Sequence, residues 1–172
     1  TVTGQPQTRA ALAEAICRAA GRTDIPIHAG QDVGINLGIV QPDCDQAAIL
    51  NHHPHRKPES FPRYTALSFL REQIHARPGE ITLLTVGPLT NIGLLFTLDP
   101  ETPRLLKRLV MMGGVFTWSV AGMPREWNVR CDPIASSIVF RAPVPELIAI
   151  GLDVTFQCRM PADEVVARFR QI

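Results

Sequence analysis

The sequence lacks the features that mark membrane-spanning, nucleic-acid-binding and zinc-binding proteins. None of its apolar runs approaches the length needed to cross a bilayer. Its 17 Lys and Arg residues nearly balance its 16 Asp and Glu residues, so no excess charge points to nucleic acid or an anionic membrane. The four cysteines are far apart and form no Cys-x-x-Cys pair, which argues against a zinc site of close-paired thiolates.

No basic segment followed by an apolar one stands at the N-terminus, so a secretory signal is not expected. Scattered, unpaired cysteines are typical of a cytoplasmic protein with reduced thiols, and we expect that location. A length of 172 residues with 45 % hydrophobic and 19 % charged residues predicts a single globular domain over residues 1–172. The chain begins with Thr1, so either an initiator methionine was removed or the chain is part of something longer.

Hydrophobic patterns alternate between those of helices and those of strands. Helices are predicted over residues 7–20, 62–76, 89–98, 103–107, 132–141 and 162–170, and strands over residues 25–28, 81–86, 109–112 and 146–150, with a strand tail at 1–4. This alternation predicts an α/β fold with a mostly parallel, Rossmann-like sheet covered by helices on both faces. Ligands of such sheets bind at the carboxyl ends of the strands, here the loops after Thr3, Val86, Met112 and Ile150.

The segment 30–61 shows no clear periodicity, which is typical of either a functional loop or a disordered one. It contains His52, His53 and His55, with two aspartates nearby. A metal site is conceivable, but no pair of histidines has helical i, i+4 spacing and a proline interrupts the group. Histidines on a surface loop are therefore the favoured interpretation.

The loop Gly87–Asn91 follows a buried-type strand and opens a helix. It lacks the several glycines of a loop that cradles phosphates, which excludes nucleoside triphosphate binding of that kind. The favoured interpretation is a structural turn in which Thr90 and Asn91 satisfy nearby backbone groups. Met111 and Met112 are both interpreted as core filler on their own residue type.

Two polar side chains, Glu126 and Asn128, flank Trp127 shortly after the third predicted strand. In extended backbone this spacing directs Glu126 and Asn128 to one side and Trp127 to the other. Asp132 followed by Pro133 predicts the start of a helix, with aspartate as the N-cap. A carboxylate and a carboxamide aimed together suit a ligand rich in hydroxyl groups. The alternative is that both side chains only cap a helix or contact solvent.

Taken together, several segments resemble the nucleoside hydrolase family of inosine-uridine preferring type. They are residues 84–92 (Leu-Thr-Val-Gly-Pro-Leu-Thr-Asn-Ile), 108–114 (Arg-Leu-Val-Met-Met-Gly-Gly), 126–133, and 151–155 (Gly-Leu-Asp-Val-Thr). The resemblance extends over nearly the whole chain. It implies hydrolysis of the N-glycosidic bond of a ribonucleoside to ribose and free base. It also implies calcium as the cofactor, held by aspartates and one main-chain carbonyl.

The resemblance assigns site roles residue by residue. Glu126 and Asn128 match the contacts to the ribose hydroxyls, Met112 matches a residue that lines the ribose pocket, and Val86 matches the main-chain carbonyl on the metal. No residue of this chain matches a catalytic one. The metal-binding aspartates would lie outside the chain at both ends, so we expect an incomplete nucleoside hydrolase-like domain, a fragment that does not itself turn over nucleosides.

Two departures from the family pattern favour a second hypothesis. Gln5 stands where the family usually has Asn, and Val120 stands where it often has a ribose-binding Asn. The second hypothesis is a non-catalytic nucleoside- or sugar-binding module, or a degenerate relic. Under either hypothesis the partner is a small ribonucleoside rather than nucleic acid or a membrane. A homo-oligomer and the base preference are left open.

Overall fold

The structure is a computed structural model that describes residues 2–35, 41–117 and 125–170. In chain order its elements are α1 (Pro6–Ala19), α2 (Thr65–Ala76), β1 (Thr82–Thr85), α3 (Thr90–Leu98), α4 (Thr102–Leu105), β2 (Arg108–Met112), α5 (Trp127–Cys131), α6 (Pro133–Arg141), β3 (Leu147–Ile150), α7 (Leu152–Thr155) and α8 (Ala162–Phe169). Two 3-10 helices, Asp45–Asn51 and Pro58–Ser60, precede α2. Nowhere in these ranges is a helix long and apolar enough to cross a membrane.

The three strands form one parallel sheet in the order β1-β2-β3. Leu109 on the central strand lies between Leu83 and Leu147, and all three pack into a core with α3 and α6. Parallel strands joined through helices give the α/β fold that the sequence predicts. Among the described residues, helices pack on one face of the sheet, and the covering of the second face stays a prediction.

Helices α3 and α6 pack closely on the covered face. A Cβ placed on Gly93 of α3 would lie 2.8 Å from both Cα and Cβ of Ala135 on α6, so only glycine allows this approach. Asp132 caps α6, as predicted, by accepting a hydrogen bond from the Ala135 amide at 2.9 Å, and Pro133 occupies the first turn. The close packing of α3 and α6 therefore depends on the absence of a side chain at Gly93 and on the Asp132 cap.

The predicted strands at 25–28 and at the N-terminus are wrong. The structure gives residues 25–28 no sheet partner, and Ile25 is exposed. Thr3 lies in a bend whose amide donates to the Gln31 carbonyl at 2.6 Å. A short apolar run becomes a strand only where another strand pairs with it, and no described strand pairs with either segment.

The irregular segment before α2 is anchored to α1. The Glu14 carboxylate accepts hydrogen bonds from the Arg56 amide and the Arg18 guanidinium, both at 2.6 Å. Burial alone would raise the pKa of Glu14, yet these bonds hold the pKa below its usual range. The segment is thus tied to a helix by a buried carboxylate.

The tight contact between α3 and α6 makes a prediction about Gly93. Replacing a helical glycine with alanine ordinarily stabilises a protein, but we expect Gly93→Ala to lower the free energy of unfolding by about 1–3 kcal/mol, because the new methyl group overlaps Ala135. Urea unfolding followed by circular dichroism measures the change. Gly87→Ala is the control, since its Cβ would meet only the Val2 side chain at an ordinary 3.4 Å. A neutral or stabilising Gly93→Ala would contradict the packing.

Candidate functional site

A cleft of about 570 Å³ opens beside β1 and extends to its carboxyl end. Val86 and Asn128, two of the residues singled out from the sequence, both line it. The remaining lining is mostly apolar, and it includes side chains from α2 and from the segment before it. The sheet geometry therefore brings Val86 and Asn128 to one opening, at the edge where parallel sheets bind ligands.

Glu126 does not lie in extended backbone, which corrects the prediction for this stretch. It is the N-cap of α5, and Trp127 and Asn128 are the first two residues of that helix. A pair two residues apart does not share a helix face, so Glu126 and Asn128 are placed by their separate contacts rather than by alternation. The sequence pattern suggested a strand because the helix is only five residues long.

The Glu126 carboxylate is almost fully engaged by the backbone. Oε1 accepts from the Asn128 amide at 2.8 Å, and Oε2 accepts from the amides of Val129 at 2.9 Å and Gly114 at 3.1 Å. The side chain is only 5 % exposed. It lies against a small second cavity formed with Gly114, Val115, Arg125, Val129, Arg130 and Pro133. Glu126 thus joins the loop after β2 to the start of α5.

Asn128 contacts the end of β2 directly. Its Nδ2 donates to the Met112 carbonyl at 3.0 Å and approaches the Met112 Sδ at 3.3 Å. The three residues that the resemblance assigns to ribose, Glu126, Asn128 and Met112, therefore form one hydrogen-bonded cluster. Met111, the neighbour, is buried in the core as predicted.

A second polar cluster near the site was predicted only in part. Asp132 is completely buried and accepts from the Ile35 amide and the Thr90 hydroxyl, both at 2.8 Å, in addition to capping α6. Asn91 Oδ1 accepts from the Gln31 amide at 2.9 Å. Thr90 and Asn91 each make a structural hydrogen bond, with groups 42 and 60 residues away in the sequence. Only the Asp-Pro cap signal could have pointed to Asp132.

The loop after Thr3, another predicted site element, has an unusual backbone. Thr3, Gly4 and Gln5 all have positive φ, of 43°, 55° and 56°. Gly4 is required, because a Cβ there would lie 2.7 Å from the Cβ of Gln41. Gln5, which departs from the family pattern, donates from Nε2 to Asp43 at 2.7 Å. The other departure, Val120, lies outside the described residues.

Three aromatic side chains line the cleft, those of His28, Phe69 and Trp127. His28 stacks on Phe69 with ring centroids 4.2 Å apart, and burial lowers the pKa of His28, which favours the neutral imidazole. Trp127 is 42 % exposed at the cleft wall. The cleft thus offers flat apolar surfaces near the polar cluster of Asn128.

The described residues do not fit a calcium site. Val86 offers a main-chain carbonyl at the end of β1, but Ca²⁺ takes six to eight oxygen ligands, usually including carboxylates. Within residues 2–35, 41–117 and 125–170 no group of three or more His, Cys, Asp or Glu side chains is placed to hold a metal ion. His52 and His53 are exposed, in agreement with histidines on a surface loop.

The parallel α/β sheet has a polar cluster at the carboxyl end of β2, and small molecules commonly bind at the carboxyl ends of strands in Rossmann-like sheets. The sequence profile described as "Inosine-uridine preferring nucleoside hydrolase" matches residues 1–172. The chain belongs to this family.

Known relatives agree with this assignment. The chain is 34 % identical to probable uridine nucleosidase 2 of Arabidopsis thaliana, in an alignment that covers 95 % of the chain and 53 % of the relative. It is 39 % identical to the non-specific ribonucleoside hydrolase RihC of Escherichia coli O127:H6, over 63 % of the chain and 34 % of the relative.

Solved structures show the same fold. The plant nucleoside hydrolase PpNRh1 superposes with a TM-score of 0.75 at 26 % identity, covering 90 % of this chain and 50 % of that one. A purine-preferring ribonucleoside hydrolase from Gardnerella vaginalis gives a TM-score of 0.74 at 24 % identity, covering 91 % and 52 %. The chain thus spans about half the length of these structures and of the Arabidopsis relative, and its alignment with RihC spans about a third of that relative.

The contacts of Glu126 predict a structural role that can be measured without any ligand. We expect Glu126→Ala to lower the free energy of unfolding by about 1–3 kcal/mol, because three amides lose a charged acceptor in a buried position. Chemical denaturation measures the loss, and Glu101→Ala, at an exposed carboxylate, is the control. Equal stabilities of the two variants would contradict the cap.

Proposed function

We propose that this chain carries the sugar-binding part of a ribonucleoside hydrolase site. The hydrogen-bonded cluster of Asn128, Met112 and Glu126, at the carboxyl end of β2, is the observation that supports the proposal. In this family the substrate is a nucleoside, whose ribose presents neighbouring hydroxyl groups. A carboxamide and a carboxylate held in fixed positions are suited to bind them.

Each residue has a distinct role in the proposal. Asn128 contacts a ribose hydroxyl through its carboxamide oxygen, while its Nδ2 group is held by the Met112 carbonyl. Glu126 positions Asn128 through the amide of that residue, and its remaining acceptor capacity is available to a second hydroxyl. Met112 is the residue that the proposal places in the lining of the ribose pocket. Val86 presents its carbonyl on the same cleft, whose apolar walls accommodate the base or the sugar ring.

In the proposed reaction, water replaces the base at the anomeric carbon through an oxocarbenium-like transition state. Fixed contacts to the hydroxyls hold the sugar in place as its ring flattens, which is a positioning contribution. Calcium, the cofactor that the resemblance implies, does not fit the described residues, so no step is assigned to it. None of the residues named above is placed as the acid or base of the reaction.

The proposal also includes the location of the protein and the state of its cysteines. The protein acts in the cytoplasm, which is supported by four free cysteines, Cys17, Cys44, Cys131 and Cys158. Burial raises the pKa of the Cys131 thiol, so this cysteine stays protonated and unreactive at neutral pH.

A second candidate is a nucleoside- or sugar-binding module without catalysis. It is supported by the same finding that counts against calcium, namely that the described side chains form no metal-holding cluster. The two candidates differ in their dependence on calcium. A hydrolase-type site binds nucleosides weakly without the metal, whereas a binding module does not need it.

Ligand binding by the chain tests the sugar site. In titrations of the isotope-labelled chain with ribose, uridine and inosine, we expect NMR shifts in the side-chain amide of Asn128 and the backbone amides of Val86 and Gly87. Asn128→Ala should remove the shifts of the Val86 and Gly87 backbone amides, because the carboxamide supplies the contact. Asn51→Ala, at an exposed position on a 3-10 helix, should leave them unchanged. Equal shifts in the Asn128→Ala variant would overturn the proposal.

Turnover is a separate measurement. With inosine or uridine and added calcium, we expect the 172-residue chain to release no ribose, because its described residues provide neither a metal cage nor a base. A reducing-sugar assay detects the product, and ribose release at a rate well above the buffer control would contradict this expectation. Binding that is equally tight with and without calcium would favour the binding module.

A further inference from the structure

Another buried carboxylate, that of Asp153, lies at the carboxyl end of β3, and the proposed function does not use it. Asp153 is only 6 % exposed. Its Oδ2 accepts a hydrogen bond from the Thr117 hydroxyl at 3.1 Å, and its Oδ1 accepts a longer one from the Phe116 amide at 3.4 Å. Both donors belong to the loop that follows β2. The carboxylate therefore joins the ends of two neighbouring strands.

The loop after β2, residues 114–117, is held from two sides. On one side, the Gly114 amide donates to Glu126 Oε2 at 3.1 Å. On the other side, the Gly114 carbonyl accepts from the Leu152 amide at 2.8 Å, and the neighbouring Asp153 accepts from the end of the loop. Glu126 and Asp153 thus bind the same short loop with two separate carboxylates.

Asp153 and the loop are closely packed beside Gly151. The φ of Gly151 is −80°, which any residue adopts, so glycine is not needed there for its backbone conformation. A Cβ on Gly151 would, however, overlap Asp153 Oδ1, and it would lie 2.8 Å from Cδ2 of the Phe116 ring and 3.1 Å from the Gly114 carbonyl oxygen. The carboxylate and the loop therefore fill the space that a side chain at this position would need.

Glu126 depends on this loop for one of its three amide donors. The amides of Asn128 and Val129 belong to α5, the helix that Glu126 itself caps. Of the three donors, Gly114 alone lies outside that helix. Displacement of Gly114 would leave the carboxylate bound only to its own helix, and its position relative to the end of β2 would no longer be fixed.

We propose that Asp153 is a positioning residue of the sugar site, an inference that rests on the proposed function. By binding Phe116 and Thr117, Asp153 keeps the Gly114 amide in place, and Gly114 in turn orients the Glu126 carboxylate toward the sugar hydroxyls. Asp153 itself contacts no ligand. Its effect is large because binding groups have to be held within about 0.5 Å of their productive geometry.

The test measures ribose affinity and the state of the loop in the same isotope-labelled samples of the 172-residue chain. Asp153→Ala should weaken ribose binding about tenfold in NMR titrations, because the Glu126 carboxylate loses its fixed orientation. Without any ligand, it should also speed hydrogen exchange of the Gly114 amide and shift the carboxyl carbon resonance of Glu126. A loss of stability alone would not produce this pair of local changes.

Two milder variants examine the hydrogen bonds of Asp153 one at a time. Asp153→Asn should bind ribose within about threefold of the unaltered chain, because a carboxamide can accept from the Phe116 amide and donate to the Thr117 hydroxyl oxygen. Thr117→Val removes the hydroxyl donor and should weaken ribose binding about threefold. These variants carry the test if Asp153→Ala does not fold.

Glu14→Ala is the matched control, since Glu14 is also a buried carboxylate that accepts a main-chain hydrogen bond, but on α1. It should lower the stability and leave the ribose affinity of the folded chain unchanged. Asp163→Ala, at an exposed aspartate in the first turn of α8, should change neither. Circular dichroism shows which variants are folded.

The outcomes separate this inference from the proposed function. Ribose affinity that is unchanged in Asp153→Ala and Thr117→Val, or that falls equally in Glu14→Ala, would overturn the positioning role and leave the sugar site in place. Exchange of the Gly114 amide that is the same in Asp153→Ala as in the unaltered chain would do so too. Absence of ribose binding by the unaltered chain would overturn the proposed function, and the positioning role with it.

Discussion

The buried carboxylate of Asp132 connects the parts of this structure that lie far apart in sequence. It caps α6, and it also accepts hydrogen bonds from the Thr90 hydroxyl at the start of α3 and from the Ile35 amide in the segment before α2. Each bond satisfies a donor that would otherwise be buried without a partner, so loss of the carboxylate would disturb three regions together. Asp132 thereby holds the starts of α3 and α6 and the segment before α2 next to one another.

The close approach of α3 and α6 depends on the same connection. Gly93 allows the two helices to touch, and Asp132 fixes where both helices begin. Because the helices cover one face of the sheet, the positions of β1 and β2 follow from their packing. The ends of those strands, at Val86 and Met112, are therefore set by contacts in the core rather than by the loops that follow them. A site built on such ends is rigid before any ligand arrives.

The sequence predicted the elements whose stability is local or strongly patterned. The helix over Pro133–Arg141 has an Asp-Pro start, and strands β1 and β2 are compact apolar runs, so all three were recognised within a few residues. The residues 25–28 have a similar apolar run but no strand partner, and pairing is not encoded in the run itself. What decides strand formation there is a contact with another part of the chain, which local pattern cannot show.

The predicted geometry of the candidate site residues is wrong, and their role in binding ribose stays a prediction. Glu126, Asn128 and Met112 are joined by hydrogen bonds, but through a helix cap and a side chain bound to a strand end, not through alternation along a strand. The five-residue helix α5, which carries Asn128, has too few turns to be stable alone. Its N-cap, Glu126, accepts a hydrogen bond from the Gly114 amide across a loop. A short helix stabilised by distant partners leaves little trace in its own residues. Only the motif resemblance identified the cluster.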